Sequence, residues 1–140
     1  MKAIYCTKYG SPEVLVVKDV KKPIPKDDEI LVKVISASIT TADSMIRRGS
    51  PFYGRLFLGL LKPKHPIMGT GFSGEVVAIG KEVSLYDIGD EVFGETTLNF
   101  SANAEYLAIP EMGIVDNKPD CINHFEASTI CDGPMTSYNF

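Results

Sequence analysis

The chain has 140 residues, 44% of them apolar and 23% charged, and carries a net charge of −4. This length allows one domain with a real core and excludes two ordinary ones. The acidic balance reads against nucleic acid and membranes as partners. No signal peptide or spanning helix is expected, since the longest greasy stretch, Phe52 to Leu61, is broken by Arg55.

In chain order, residues 2–7 and 13–19 read as strands divided by a Tyr9-Gly10-Ser11-Pro12 turn. Pro23, Pro25 and the charged run Lys26 to Glu29 form a polar link. Glu29 to Ser38, EILVKVISAS, alternates long apolar and polar side chains and predicts a strand. Thr40 to Arg48 reads as a short helix stopped by Gly49, and Pro51 to Pro66 as an irregular apolar insertion. Strands follow at 72–79, around 91–94 and at 104–109. Asn123 to Ile130 reads as a helix, and another is expected from Thr136 onward. Many short strands with Gly and Pro turns predict a mainly β fold, a small, partly open β-barrel with short helices. Cys6, Cys121 and Cys131 are odd in number and widely spaced, which does not read as a disulfide framework and suits a reducing cytoplasm.

Gly69-Thr70-Gly71-Phe72-Ser73-Gly74 fits the G-x-G-x-x-G dinucleotide fingerprint, which needs a helix immediately after it. The following Glu75-Val76-Val77-Ala78-Ile79 favours a strand instead, because branched Cβ atoms are stiff in a helix. The glycines are better read as tight bends in a curved sheet.

Four segments, in this order, resemble the N-terminal GroES-like domain of the medium-chain dehydrogenase/reductase superfamily. They are MKAIYCTKYGSPEVLVVKDV; DEILVKVISASITTADSMIRRG; the glycine block running to GDEVFGE; and FSANAEYLAIPE with FEASTICDGPMTSYNF beyond it. The resemblance is to the zinc-free quinone oxidoreductase-like branch, which includes enoyl and alkenal reductases. It implies a following Rossmann domain that binds NADP(H) or NAD(H). The sequence stops at Tyr138-Asn139-Phe140, near where the connecting helix would begin. One GroES-like substrate-binding domain over 1–140, a fragment of a longer parent and inactive alone, is therefore expected.

The resemblance also locates candidate site residues. Where zinc-dependent members place a cysteine and a histidine, this chain has Thr40 and Thr70, with Gly71 at the following acidic position. The third ligand would fall near Asp132, which Cys131 misses by one. A neutral hydroxyl is a poor zinc ligand, so no zinc is expected. Cys121-Ile-Asn-His124 is half a metal site at most, or an ordinary helix start.

Thr40 and Asp43 fit a capping box. Capping alone would account for both. In the resembling reductases the Thr40 position lies near nicotinamide and substrate, so the resemblance implies catalytic roles for Thr40 and Asp43 and a cofactor contact for Thr40, as the alternative or in addition. Met45, Phe52 and Tyr53 are either packed side chains or a substrate-pocket wall shared with Thr70. His65 reads as a surface-loop residue rather than a general acid. Thr136, in MTSY, matches a threonine set against the cofactor, or is simply a helix-start hydroxyl.

The implied activity is reduction of quinones, enones or related activated carbonyl compounds. The alternatives are a GroES-like oligomer, a stand-alone ligand module, or an alcohol dehydrogenase domain that has lost its metal ligands. Expected partners are a small-molecule substrate, the Rossmann domain and, through Ile130, Met135, Tyr138, Phe140 and part of Phe52–Leu61, a weak homodimer.

Overall fold

Branched and aromatic residues dominate the segments that become strands. A computed structural model describes residues 1–131 and 133–138, and among these every side chain except those of Phe57, Leu98, Met135 and Thr136. A hairpin of β1 (Lys2–Cys6) and β2 (Leu15–Asp19) stands beside a five-stranded antiparallel sheet. The sheet order is β6 (Tyr106–Pro110), β3 (Glu29–Ala37), β4 (Gly71–Ile79), β5 (Glu91–Glu95), β7 (Ile114–Asn117). Bridges from Ala3 to Ala104 and from Tyr5 to Ile67 tie the hairpin to it. The result is a mainly β, partly open barrel of the GroES-like kind.

Curvature comes from the β3–β4 pair. Leu31 and Val32 face Ala78 and Val76, and Val34 and Ser36 face Gly74 and Ser73. Val77 and Ile35 are thus each an extra residue on one strand. Such bulges raise the local twist and let a sheet close on itself. The concave side holds the main core of Ile30, Val32, Phe72, Val76, Val92 and Leu107, with Tyr86 donating its hydroxyl to the Val115 carbonyl at 2.8 Å. Cys6, Val14 and Met68 form a second cluster, against which Ile46 packs.

The glycine block enters β4, not a helix. The stretch 13–19 opens with a 3-10 turn at Pro12–Val14 before β2, and β7 was not foreseen from the four-residue run IVDN. The apolar insertion is more regular than expected, with a 3-10 turn at Phe52–Gly54 followed by α2 (Arg55–Leu58).

Helix α3 (His124–Ile130) packs across β3, β4 and β5, and α4 (Gly133–Tyr138) follows it. Asn123 caps α3, accepting from the Glu126 amide at 3.0 Å, while Glu126 accepts from the Asn123 amide at 2.9 Å. His124 pins the helix to the sheet. Its Nδ1 lies 2.8 Å from the Ser73 hydroxyl on β4, and its Nε2 lies 3.1 Å from Glu91 on β5. Glu91 also pairs with Lys118 at 3.1 Å. Cys121 is exposed, so of the C-x-x-H pair it is His124 that anchors the helix.

Lys118, and then His124, hold the Glu91 carboxyl below its ordinary value of 4.5. A carboxyl depressed on folding contributes stability that is fully present above that value and is lost as the pH falls through the lower native one. Glu91→Gln should therefore lower the Tm at neutral pH, with the deficit closing below about pH 4. Thermal melts of both proteins across pH 3–7 check this. Phe72 is fully buried in the main core. Phe72→Ala should cost about 3–5 kcal/mol in urea unfolding.

Candidate functional site

The site begins where β3 ends. Helix α1 (Thr41–Arg48) starts there because Thr40 and Asp43 close a capping box. The Thr40 amide donates to Asp43 Oδ2 at 2.8 Å, and the Thr40 hydroxyl lies 3.3 Å from the same oxygen. Arg47 and Arg48 fill the last turn, favourably placed for the helix dipole, and Gly49 ends the helix at φ 63°, in the left-handed region. Asp43 and Ser38 are both more than nine-tenths buried. Asp43 Oδ1 and Ser38 Oγ have no hydrogen-bond partner among the described residues. A buried polar atom without a partner costs about 1–3 kcal/mol. Asp43 lines a separate cavity of about 70 Å³ with Ile4, Leu15, Ile39, Met68 and Asn103, while Ser38 Oγ faces Gly71.

Thr70, also buried, lines a cavity of about 540 Å³ with Ile46, Gly54, Leu58, Glu95, Thr97 and Phe100. Apart from two hydroxyls and one carboxylate, the side chains in its wall are hydrocarbon. Thr97 and Phe100 hold positive φ of 49° and 53°, and the neighbouring Ser101 of 94°. Such backbone costs about 1–3 kcal/mol per residue and clusters at functional sites. The Thr96 hydroxyl and amide tie this strained stretch back to the glycine block, donating to Gly69 O at 3.1 Å and Thr70 O at 2.9 Å respectively.

Of the expected pocket residues, Thr70 alone lines this cavity. Met45, Phe52 and Tyr53 are exposed, by 45%, 71% and 75%, so they form neither a packed core nor the cavity wall. Thr40 and Asp43 sit at the start of the helix whose Ile46 reaches the cavity. His65 is exposed, with its ring 6.3 Å from that of Phe100. The side chain of Thr136 lies outside the described residues, as do Asp132, Phe140 and the Met135 side chain. Sequence reasoning missed Ser38, Ile46, Gly54, Leu58 and Phe100. Ile46 had a signal, since it follows Asp43 by three and shares its helix face. Phe100 lies far along the chain from Thr70 and had none.

Thr40, Thr70 and Gly71 offer no sulfur, imidazole or carboxylate to a metal. Among the described residues no three His, Cys, Asp or Glu side chains come together to hold one. The donor set therefore does not fit a zinc ion at these positions. Burial pushes the Cys131 thiol up, helped by Glu95 and Asp116, which disfavours the thiolate a metal would need.

Residues 26–119 match the family described as the alcohol dehydrogenase GroES-like domain. The chain belongs to that family. Its relatives lie among the medium-chain dehydrogenases and reductases. The chain is 38% identical to the quinone oxidoreductase of Sus scrofa over 108 residues, which cover 76% of this chain and 30% of that protein. It is 30% identical over 142 residues to the mitochondrial NAD(P)H oxidoreductase RTN4IP1 of Dictyostelium discoideum, covering 99% of this chain and 39% of the relative. The solved quinone oxidoreductase of Coxiella burnetii superposes with a TM-score of 0.86 at 29% identity, over 99% of this chain and 43% of that one. The chain thus spans well under half the length of these relatives.

At Gly71 a Cβ would stand 2.3 Å from Ser38 Oγ and 2.6 Å from the Ser128 carbonyl oxygen. Gly71→Ala should therefore destabilise the GroES-like domain by about 1–3 kcal/mol, read from urea unfolding, by forcing α3 and the end of β3 apart.

Proposed function

We propose that the chain is the substrate domain of a zinc-independent NAD(P)H-dependent oxidoreductase that reduces quinones, enones or related conjugated carbonyl compounds. The observation that carries this reading is the hydrocarbon-walled cavity at Thr70, to which Ile46 of the helix that Thr40 opens contributes. The names of its relatives point the same way. A nucleotide-binding domain outside these residues completes the cleft, as the relatives' greater length supports. Three free thiols fit a reducing compartment, and among the described residues no helix is long and apolar enough to cross a membrane.

A nicotinamide, when bound, supplies the hydride. The chain's own residues orient and polarise. Asp43 Oδ1 can accept from an N–H or O–H donor such as a carboxamide or water. Ser38 Oγ, close by in sequence, can accept or donate. The Thr40 hydroxyl accepts in the capping box and lies 3.3 Å from Asp43 Oδ2, and its proton can turn from that long contact to an acceptor oxygen as negative charge grows there. With neutral donors rather than a metal, acceptors whose charge is spread by conjugation are favoured over simple aldehydes. The cavity's hydrocarbon wall suits the apolar ring or chain of such compounds.

In the protein joined to its nucleotide-binding domain, Thr40→Val should lower kcat by about tenfold or more while costing only about 1 kcal/mol of stability. Steady-state reduction of a quinone and an enone, with thermal melts alongside, separates the two effects. An unchanged kcat with a lowered Tm would leave capping as the role of Thr40. Elemental analysis of the dialysed protein should find no stoichiometric zinc, and one tightly held zinc per chain would overturn the metal-free reading.

A further inference from the structure

Charge is unevenly divided along the chain. Between Ser44 and Gly74 there are five basic residues and no acidic one, so a chain of net charge −4 carries +5 there and −9 elsewhere. Arg47 is buried and donates to the Gly10 carbonyl. Arg55 is spent on structure: its guanidinium donates to Gly49 O at 3.0 Å and Arg48 O at 3.2 Å and lies over the rings of Tyr9 and Phe52. Arg48, Lys62 and Lys64 remain exposed.

The same stretch exposes large apolar side chains. Phe52 is 71% exposed, Tyr53 75%, Leu56 78%, Leu60 58% and Leu61 88%. These residues do not belong to a slack loop. Tyr9 donates its hydroxyl to Gly59 O at 2.6 Å, the Lys64 amide donates to Leu58 O at 2.7 Å, and Arg55 pins the other end to the close of α1. The fold holds these side chains outward, where water solvates them poorly.

We infer that the 48–64 segment is a docking surface for an anionic lipid membrane. Aromatic and leucine side chains rimmed by Lys and Arg are the composition that enters a headgroup layer, the apolar groups descending and the cations meeting lipid phosphates. The whole-chain charge reads against such a partner, but contact is governed by the local field within a screening length of about 8–10 Å. A second copy of the chain fits less well. A two-fold interface would set this patch against itself and bring Arg48, Lys62 and Lys64 towards their copies, with Glu95 at the neighbouring cavity as the nearby acid. The docking needs neither cofactor nor substrate, and it requires that the exposed leucines and cations stay uncovered when the nucleotide-binding domain of the proposed function completes the cleft at Gly54 and Leu58.

Vesicle co-sedimentation of the full chain tests this. Phosphatidylcholine vesicles containing about 30% phosphatidylserine should retain the protein at least tenfold better than phosphatidylcholine alone, and about 1 M salt should abolish the difference. Lys62→Ala with Lys64→Ala should weaken binding about tenfold, as should Leu56→Ser with Leu61→Ser, each pair leaving the circular dichroism and Tm unchanged because the side chains are exposed. Equal retention by both vesicle types, or binding indifferent to both variant pairs, would overturn the proposal. So would concentration-dependent self-association that the leucine pair removes in the absence of vesicle binding, because the patch would then belong to a second copy.

Discussion

The architecture turns on the close approach permitted at Gly71. This residue begins β4, pairs with Glu95 of β5, and accepts from the Ser38 amide at 3.1 Å where β3 runs out. Its missing side chain leaves room for Ser38 on one side and the Ser128 carbonyl of α3 on the other. Ser128 in turn meets Ser36 at 3.0 Å, hydroxyl to hydroxyl. Three elements thereby converge within hydrogen-bonding distance of one backbone position. Thr70 precedes it and faces the cavity, and Thr40, two residues beyond Ser38, opens α1. A side chain at this position would not fit between Ser38 and Ser128.

Around that junction the cavity wall is mostly hydrocarbon, with Thr70, Thr97 and Glu95 as its polar side chains. Such a cavity favours compounds with a hydrocarbon body and one reducible polar end. The strained turn through Thr97 and Phe100 closes one side, and Gly54 and Leu58 of the insertion form another. Those two residues belong to the segment that carries the exposed leucines and cations. A lipophilic acceptor dissolved in a bilayer would therefore meet the cavity beside the surface that contacts the membrane, which joins the two proposals.

Much of the fold was legible because local and global signals agree. Alternation in EILVKVISAS, the Thr40–Asp43 cap and the branched run after Gly74 each specify one element, and each formed. The four-residue β7 was missed because IVDN has too few alternating positions to register, and its pairing with β5 is decided by the curl of the sheet. The insertion looked irregular because its order comes from Tyr9 and Arg55, through contacts that no periodicity announces. The site was legible only in part. Motif position led to Thr70, which lines the cavity, and to Thr40, which opens the helix whose Ile46 reaches it. The aromatic residues beside them, Phe52 and Tyr53, suggested a pocket wall, but they point outward, and the aromatic wall is supplied by Phe100 from a distant strained turn. Spacing along a chain gives which residues share a helix face; it does not give which loops fold over it.

The central claim is that the cavity at Thr70 receives a conjugated carbonyl acceptor. A titration of the isotopically labelled domain with a soluble 1,4-naphthoquinone, followed by amide chemical shifts, tests it without cofactor. The account predicts saturable shifts concentrated at Ile46, Gly54, Leu58, Thr70, Thr97 and Phe100, with the Ser84–Asp90 turn unmoved. Shifts confined to that turn or to the β1–β2 hairpin, or none at all up to the solubility limit of the quinone, would contradict it.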